Sequence, residues 1–226
     1  MEVYVINALR ELSDAEFENA LSKVDSGQRE RIMRYRFMED RKRGLVGVLL
    51  SKYAISKAFG IPANESIFEK NKYGKPHVVG RSGVHYNISH SGDYVVCAVG
   101  ESPVGIDVQE IKDGSLDVAD RFFSKEEKEA LAMTGEEARR DLFCEMWSLK
   151  EAYIKCIGMG LSKPLDEFGV VKKDGEYRLI VNGEWSKDYH FHKYDIDEKY
   201  SLCVCSQEAG FPTETEYVKF EDLYLT

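Results

Sequence analysis

A pair of carboxylates, an amide and a lysine, set at helical and strand spacing, are the residues of this chain that could do chemistry together. In Trp147-Ser148-Leu149-Lys150-Glu151-Ala152-Tyr153-Ile154-Lys155, a helix turning about 100° per residue puts Leu142, Met146, Leu149, Tyr153 and Ile157 on one arc and Trp147, Glu151 and Lys155 on another. The Glu151 carboxylate and the Lys155 ammonium then leave the helix together. Upstream, Gly105-Ile106-Asp107-Val108-Gln109 reads as a strand with Val104, Ile106 and Val108 on one face and Gly105, Asp107 and Gln109 on the other. Asp107, Gln109 and Glu151 are hard oxygen donors, suited to Mg2+, which leaves its other positions to water and phosphate. Taken singly, each has a plainer reading. A Glu-Lys pair at i, i+4 is ordinary on a solvated helix face, and an Asp near a strand end need not bind anything. Together they point to chemistry on a diphosphate.

The elements that must position these groups occur twice. A helical stretch over 41–59 stops at Gly60-Ile61-Pro62 and is followed by strands ending in 94–99. A second, over 142–157, stops near Gly158 to Gly160, with Pro164 beyond, and is followed by strands ending in 200–205. Each half opens on a short apolar strand, Val3 to Ile6 and Val104 to Val108. Chance likeness between ordinary α+β segments is the competing explanation. The join at Glu101-Ser102-Pro103 is too short for a flexible linker, so an N-terminal lobe, 1–102, and a C-terminal lobe, 103–226, should pack together. A site between them would set Asp107, Gln109, Glu151 and Lys155 against Lys75, Ser89 and His90.

Composition narrows the function classes. With 43% hydrophobic and 31% charged residues over 226 positions, the chain reads as an ordinary soluble globular protein. No apolar run approaches the roughly 18 residues that cross a bilayer. Met1 to Asn7 lacks a basic region followed by an apolar core, so it reads as a first strand and not a secretory signal. The five cysteines sit in apolar contexts without metal-ligand spacing, which predicts buried free thiols and a cytoplasmic protein. A net charge of -9 argues against nucleic acid as a partner. No Gly-x-x-x-x-Gly-Lys-Ser/Thr loop is present, as a common nucleotide-binding enzyme would have.

Gly105 to Gln109, Arg121-Phe122-Phe123-Ser124-Lys125-Glu126-Glu127 and the Trp147 to Lys155 string resemble the three signatures of 4'-phosphopantetheinyl transferases. Tyr73-Gly74-Lys75-Pro76 and Asn87-Ile88-Ser89-His90-Ser91-Gly92 match further motifs of that family. The likeness spans nearly the whole chain and is to the larger, pseudo-dimeric type typified by the enzyme of the surfactin synthetase system. It implies an α+β fold of two similar α/β lobes in pseudo-twofold relation, with coenzyme A bound in the cleft. The implied reaction is Mg2+-dependent transfer of 4'-phosphopantetheine from coenzyme A to a serine of an apo acyl or peptidyl carrier protein, releasing adenosine 3',5'-bisphosphate.

On this resemblance Asp107, Gln109 and Glu151 hold the metal and Lys155 meets the diphosphate. Glu151 takes the serine proton, directly or through a metal-bound water. Lys75 bonds a phosphate or the adenine region, and Ser89 and His90 contact coenzyme A, with His90 and Arg31 near its 3'-phosphate. Plainer readings stay open here: Arg29, Arg31, Arg34 and Arg36 also suit a solvated helix face, and His90 a turn. Trp147 reads as core or a lobe-interface wedge, and Lys150 as a snorkelling or phosphate-reaching cation. The segment 111–123 is the implied docking region for the carrier on a monomeric enzyme. Carrier proteins are typically acidic, so local basic patches and apolar contacts must bring the partners together. The chain departs from the family at Gln28 and Gly44, where a basic and a hydroxyl residue are expected, and at Gln109, where Glu is commonest. A non-catalytic carrier-binding module with a weakened metal site is the alternative; retention of Asp107, Glu151 and Lys155 argues against it.

Overall fold

A computed structural model describes residues 1–10, 12–112 and 117–224. The first half runs β1 (Glu2–Asn7), α1 (Asp14–Leu21), α2 (Ser26–Met33), α3 (Met38–Phe59), β2 (Phe68–Lys70), β3 (Pro76–Val78), β4 (His85–Ser91) and β5 (Tyr94–Gly100). The second runs β6 (Val104–Glu110), α4 (Asp117–Phe122), α5 (Lys125–Met133), α6 (Glu136–Ile157), β7 (Phe168–Lys173), β8 (Glu176–Val181), β9 (Glu184–Ser186), β10 (His190–Tyr194), β11 (Tyr200–Ser206) and β12 (Glu216–Tyr217). The fold is mixed α+β. One sheet has the order β12-β1-β5-β4 and another β10-β11-β6, with small sheets β2-β3 and β7-β8-β9 beside them.

Local sequence explains the long helices. Both α3 and α6 end on a glycine in the left-handed conformation, Gly60 at φ 65° and Gly158 at φ 67°, where a side chain would be strained. Ser13 and Glu16 form a capping box at the start of α1, as their spacing predicts. The helix α3 packs Leu45, Leu49 and Ile55 against β4 and β5, forming the first-half core with Phe17, Ile32 and Tyr86. The helix α6 packs Leu149, Tyr153 and Cys156 against Cys203 and Cys205 of β11 and Phe168 of β7.

The two larger sheets meet through a shared apolar layer. Val3, Val5, Val96 and Ala98 of the first pack with Val104, Ile106, Val108 and Val204 of the second. The strand faces assigned from period two therefore hold: the valine and isoleucine side of β6 is this layer, and the Gly105, Asp107, Gln109 side looks to α6. Gly105 makes that approach possible, because a Cβ there would lie 2.0 Å from the Ala152 carbonyl oxygen and 2.3 Å from the Cys156 nitrogen.

One segment crosses back. A division at 102/103 puts residues 216–224 in the second half, yet β12 pairs in parallel with β1, Tyr4 opposite Glu216, and Val218, Phe220 and Leu223 are buried in the first-half core. All five cysteines are buried free thiols, and among the described residues no helix is long and apolar enough to cross a membrane.

Candidate active site

The polar residues alternating along β4 join the halves. The Asn87 Oδ1 accepts the Ile106 N–H at 2.9 Å and the Ser91 Oγ accepts the Glu110 N–H at 3.0 Å. Since β6 is the outer strand of its sheet, these side chains satisfy edge N–H groups that would otherwise be unpaired inside the protein. Ser89 lies between them on the same face and donates to Asp107 Oδ1 at 2.9 Å. Polar 87, 89 and 91 alternating with Tyr86 and Ile88 is the sequence signal for this clasp, and a motif match to cofactor contacts hides it.

Asp107 is the hub of the site, and its residue is only 1% exposed. Its Oδ1 accepts from Lys155 Nζ at 2.5 Å as well as from Ser89, and its Oδ2 accepts from Gln109 Nε2 at 2.9 Å. Lys155 Nζ also donates to Ser89 Oγ at 2.9 Å. An ammonium has three donors, and the Lys155 side chain keeps 25% of its surface exposed, so its charge still faces outward. Glu151 stands one helical turn before Lys155. Partial burial and the adjacent Asp107 charge push its carboxyl up, while Lys155 pulls it down.

The donor set fits a hard divalent cation in kind: carboxylate oxygens from Asp107 and Glu151 and an amide oxygen from Gln109. The strain that Asp107 puts on Glu151 is the excess negative charge such an ion would relieve. Among the described residues no group of three His, Cys, Asp or Glu side chains is placed to share a metal. The expected set is therefore two carboxylates and Gln109, whose amide nitrogen here donates to Asp107.

The remaining predicted residues disperse. His90 lies with Tyr86 and Ile88 on the opposite face of β4; the walls around it, then the charges of Arg43 and Lys155, push its imidazole down. Arg31 instead influences Tyr86, four residues along the strand. The Lys75 ammonium is buried against the carbonyls of Val104 at 3.0 Å and Cys156 at 2.9 Å, and burial lowers its pKa. Its turn docks on the end of α6, with Asn71 Nδ2 donating to the Gly158 carbonyl at 3.1 Å. Lys75 thus ties β2-β3 to the second half. Arg43, which the motifs do not flag, donates to the Gly92 carbonyl at 2.8 Å and pairs with Asp40 at 2.6 Å, fixing the β4-β5 turn.

Residues 11–102 match the family described as 4'-phosphopantetheinyl transferase, N-terminal, and residues 103–205 match the 4'-phosphopantetheinyl transferase superfamily. The chain is 37% identical over 223 residues to a 4'-phosphopantetheinyl transferase of Bacillus subtilis, covering 99% of this chain and 100% of that one. It is 36% identical over 224 residues to the 4'-phosphopantetheinyl transferase Sfp of Bacillus subtilis (strain 168), with the same coverage. The chain belongs to the Sfp-type 4'-phosphopantetheinyl transferase family. Among solved structures, the Thermotoga maritima holo-[acyl-carrier-protein] synthase is similar with a TM-score of 0.39 and 23% identity, over 46% of this chain and 62% of that one.

In this transferase, three motif residues away from the Asp107 cluster, Phe123, Trp147 and Lys150, pack inside the second half. Lys150, expected to snorkel or reach phosphate, is sealed in the core, pairing with Glu127 Oε2 at 2.6 Å and donating to the Phe168 carbonyl at 2.5 Å. Glu127 also accepts the Ser124 and Val170 N–H groups. Phe123 is buried and stacks near Trp147 and Phe143, which makes Trp147 part of the α4-α6 packing. Gly44 has a local cause: a Cβ there would lie 3.0 Å from Tyr35 Cε2. In the implied docking segment, residues 113–116 lie outside the described residues. Of the rest, Asp120 and Arg121 are exposed and Phe123 is not.

Proposed function

We propose that this phosphopantetheine-transferring enzyme moves the arm of coenzyme A onto a serine hydroxyl of an apo acyl or peptidyl carrier protein, with Mg2+, and releases adenosine 3',5'-bisphosphate. The observation that carries this reading is the cluster of Asp107, Ser89, Lys155 and Glu151 at the seam of the two halves. Lys155 is held by Asp107 and Ser89, yet keeps part of its charge exposed, as a cation meeting a diphosphate must. Its anchoring removes the reorganisation a free lysine would need as charge grows on the leaving phosphate. Glu151, with its proton affinity raised, suits a group that takes the serine proton as the hydroxyl attacks. Asp107, Glu151 and Gln109 would hold Mg2+, which when bound supplies Lewis-acid neutralisation of the diphosphate.

We read the chain as two similar α/β lobes, 1–102 and 103–226, in pseudo-twofold relation, supported by the repeated order of opening strand, glycine-capped helix and closing hairpin. On this reading the enzyme is a cytoplasmic monomer. The carrier docks at 111–123, through the exposed side of α4 that carries Asp120 and Arg121, because Phe123 is engaged in the core. The test is the intact mass of apo-carrier proteins after incubation with coenzyme A and Mg2+. A gain of one phosphopantetheine, lost in excess chelator, is expected; no gain with any acyl or peptidyl carrier would overturn the proposal.

A further inference from the structure

Cys156, in the last turn of α6, and Cys205, in β11, meet over Gly105. Cys205 is paired with Gly105 across the β6-β11 ladder, so those two Cα atoms lie about 4.5–5.5 Å apart. Both cysteines belong to the apolar layer between α6 and the sheet, and a Cβ on Gly105 would come 2.9 Å from the Cys156 Cα. The glycine thus lets the Cys156 backbone settle beside the Cys205 side chain. On this geometry the Cα atoms of the two cysteines are about 6–7 Å apart, at the long end of the separation a disulfide spans.

The pair also differs chemically from the other three thiols. Burial pushes Cys97 up to about 12 and raises Cys144 and Cys203 as well. Cys156 is the exception: the Cys205 thiol first, and the Lys75 charge second, pull it down. Burial, and then the Cys156 sulfur, push Cys205 up. A thiol held towards its anion beside one that keeps its proton is the arrangement of an attacking and a resolving cysteine. Cys156 is itself 2% exposed, but its Sγ donates to the Pro103 carbonyl at 3.2 Å, and Pro103 is partly exposed. One residue therefore separates this thiol from the surface.

We propose that Cys156 and Cys205 are a modification site, oxidised by hydrogen peroxide to a disulfide that slows transfer by displacing Lys155. The Cys156 sulfur attacks one peroxide oxygen, the O–O bond breaks, and the other oxygen leaves as water with the thiol's proton, giving a sulfenic acid. The Cys205 sulfur then attacks the Cys156 sulfur. The S–S bond forms, the S–O bond breaks, and a second water carries off the Cys205 proton. Two thiols are oxidised and one peroxide is reduced to two waters. Because the pair is at long reach, the bridge draws the last turn of α6 towards β11. Lys155 precedes Cys156 and moves with it, off the Asp107 and Ser89 oxygens that hold it. The effect on rate rests on the role proposed above for Lys155; the bridge does not.

The experiment treats the full chain with hydrogen peroxide, removes the oxidant by gel filtration, and reads intact mass, a peptide map and the initial rate of carrier modification with coenzyme A and Mg2+. A mass lower by two hydrogens, a peptide joining Cys156 to Cys205, and a rate down about tenfold and restored by dithiothreitol are expected. Cys156→Ser and Cys205→Ser should each keep the untreated rate and lose the reversible peroxide effect. No bridge, a bridge between other cysteines, or a bridged chain with unchanged rate overturns the proposal. Should a variant not fold, the wild-type map and the dithiothreitol-reversible rate decide by themselves. Should the untreated wild type not transfer at all, the functional reading fails, and the map still tests the site: a Cys156-Cys205 bridge supports it and its absence overturns it.

Discussion

Two lysines five residues apart on α6 meet carboxylates in opposite ways. Lys150 and Glu127 are both 0% exposed, and every contact they make is inside the protein. Lys155 meets a carboxylate just as buried, Asp107 at 2%, but is itself 25% exposed. Burial pushes Glu127 up and Lys150 down, each pulled back by the other, so the pair survives by mutual neutralisation and by the backbone N–H groups of Ser124 and Val170. The first pair joins α5, α6 and β7; the second holds a charge ready at a surface. A lysine's role follows from which side of its carboxylate is left open, and the local motif, which contains both residues, does not distinguish them.

The largest expected effect breaks the open site alone. Glu151→Gln should lower transfer by about 10²–10⁴ while the melting temperature stays within a degree or so. A turnover assay beside a thermal melt decides it, and near-normal turnover removes Glu151 from the chemistry. The converse variant breaks the sealed pair. Lys150→Met strands the Glu127 carboxylate and should cost about 3–5 kcal/mol of stability, read by urea unfolding, with KM unchanged for the folded fraction. Adding Glu127→Leu should recover part of that loss and not all, because Ser124 and Val170 lose their acceptor.

A smaller effect sharpens the account of the open site. Gln109→Glu adds a third carboxylate facing α6, and should lower the Mg2+ concentration for half-maximal activity about three- to tenfold, an order-of-magnitude expectation for one added anionic ligand. Magnesium calorimetry should shift in parallel, and identical binding in both forms would mean residue 109 does not reach the metal. The smallest effect is a pH dependence at His90. Its folded-state pKa is lowered, so it is neutral at neutral pH; a bound phosphate would raise that pKa, and binding would then take up a proton. Coenzyme A affinity should therefore fall, by about threefold, as pH rises from the free protein's depressed value through the bound value. His90→Ala should flatten the profile, measured by calorimetry across that range.

Much of the cluster is legible in the sequence because periodicity assigns faces. Period two puts Asp107 and Gln109 together and helical period puts Glu151 with Lys155, and both hold. What periodicity does not carry is the partner across the chain. Lys150 falls on the apolar arc of α6, and nothing local says that Glu127 waits there. Lys75 looks like a free turn cation until the start of β6 and the end of α6 supply the Val104 and Cys156 carbonyls. The segment 216–224 is too short to show a strand or helix period, and its Val218, Phe220 and Leu223 find their partners only in the first-half core.

That returning segment bears on the order in which the protein acquires its structure. Val218 N–H donates to the Val5 carbonyl at 2.8 Å, and Tyr53 reaches Glu216 at 3.3 Å, so the outer edge of β1 is closed by residues made after every other strand of both larger sheets. During synthesis the first half emerges with that edge open and its core short of Val218, Phe220 and Leu223. An open strand edge is a site for wrong pairing. The first-half core is therefore completed only after the second half has been made.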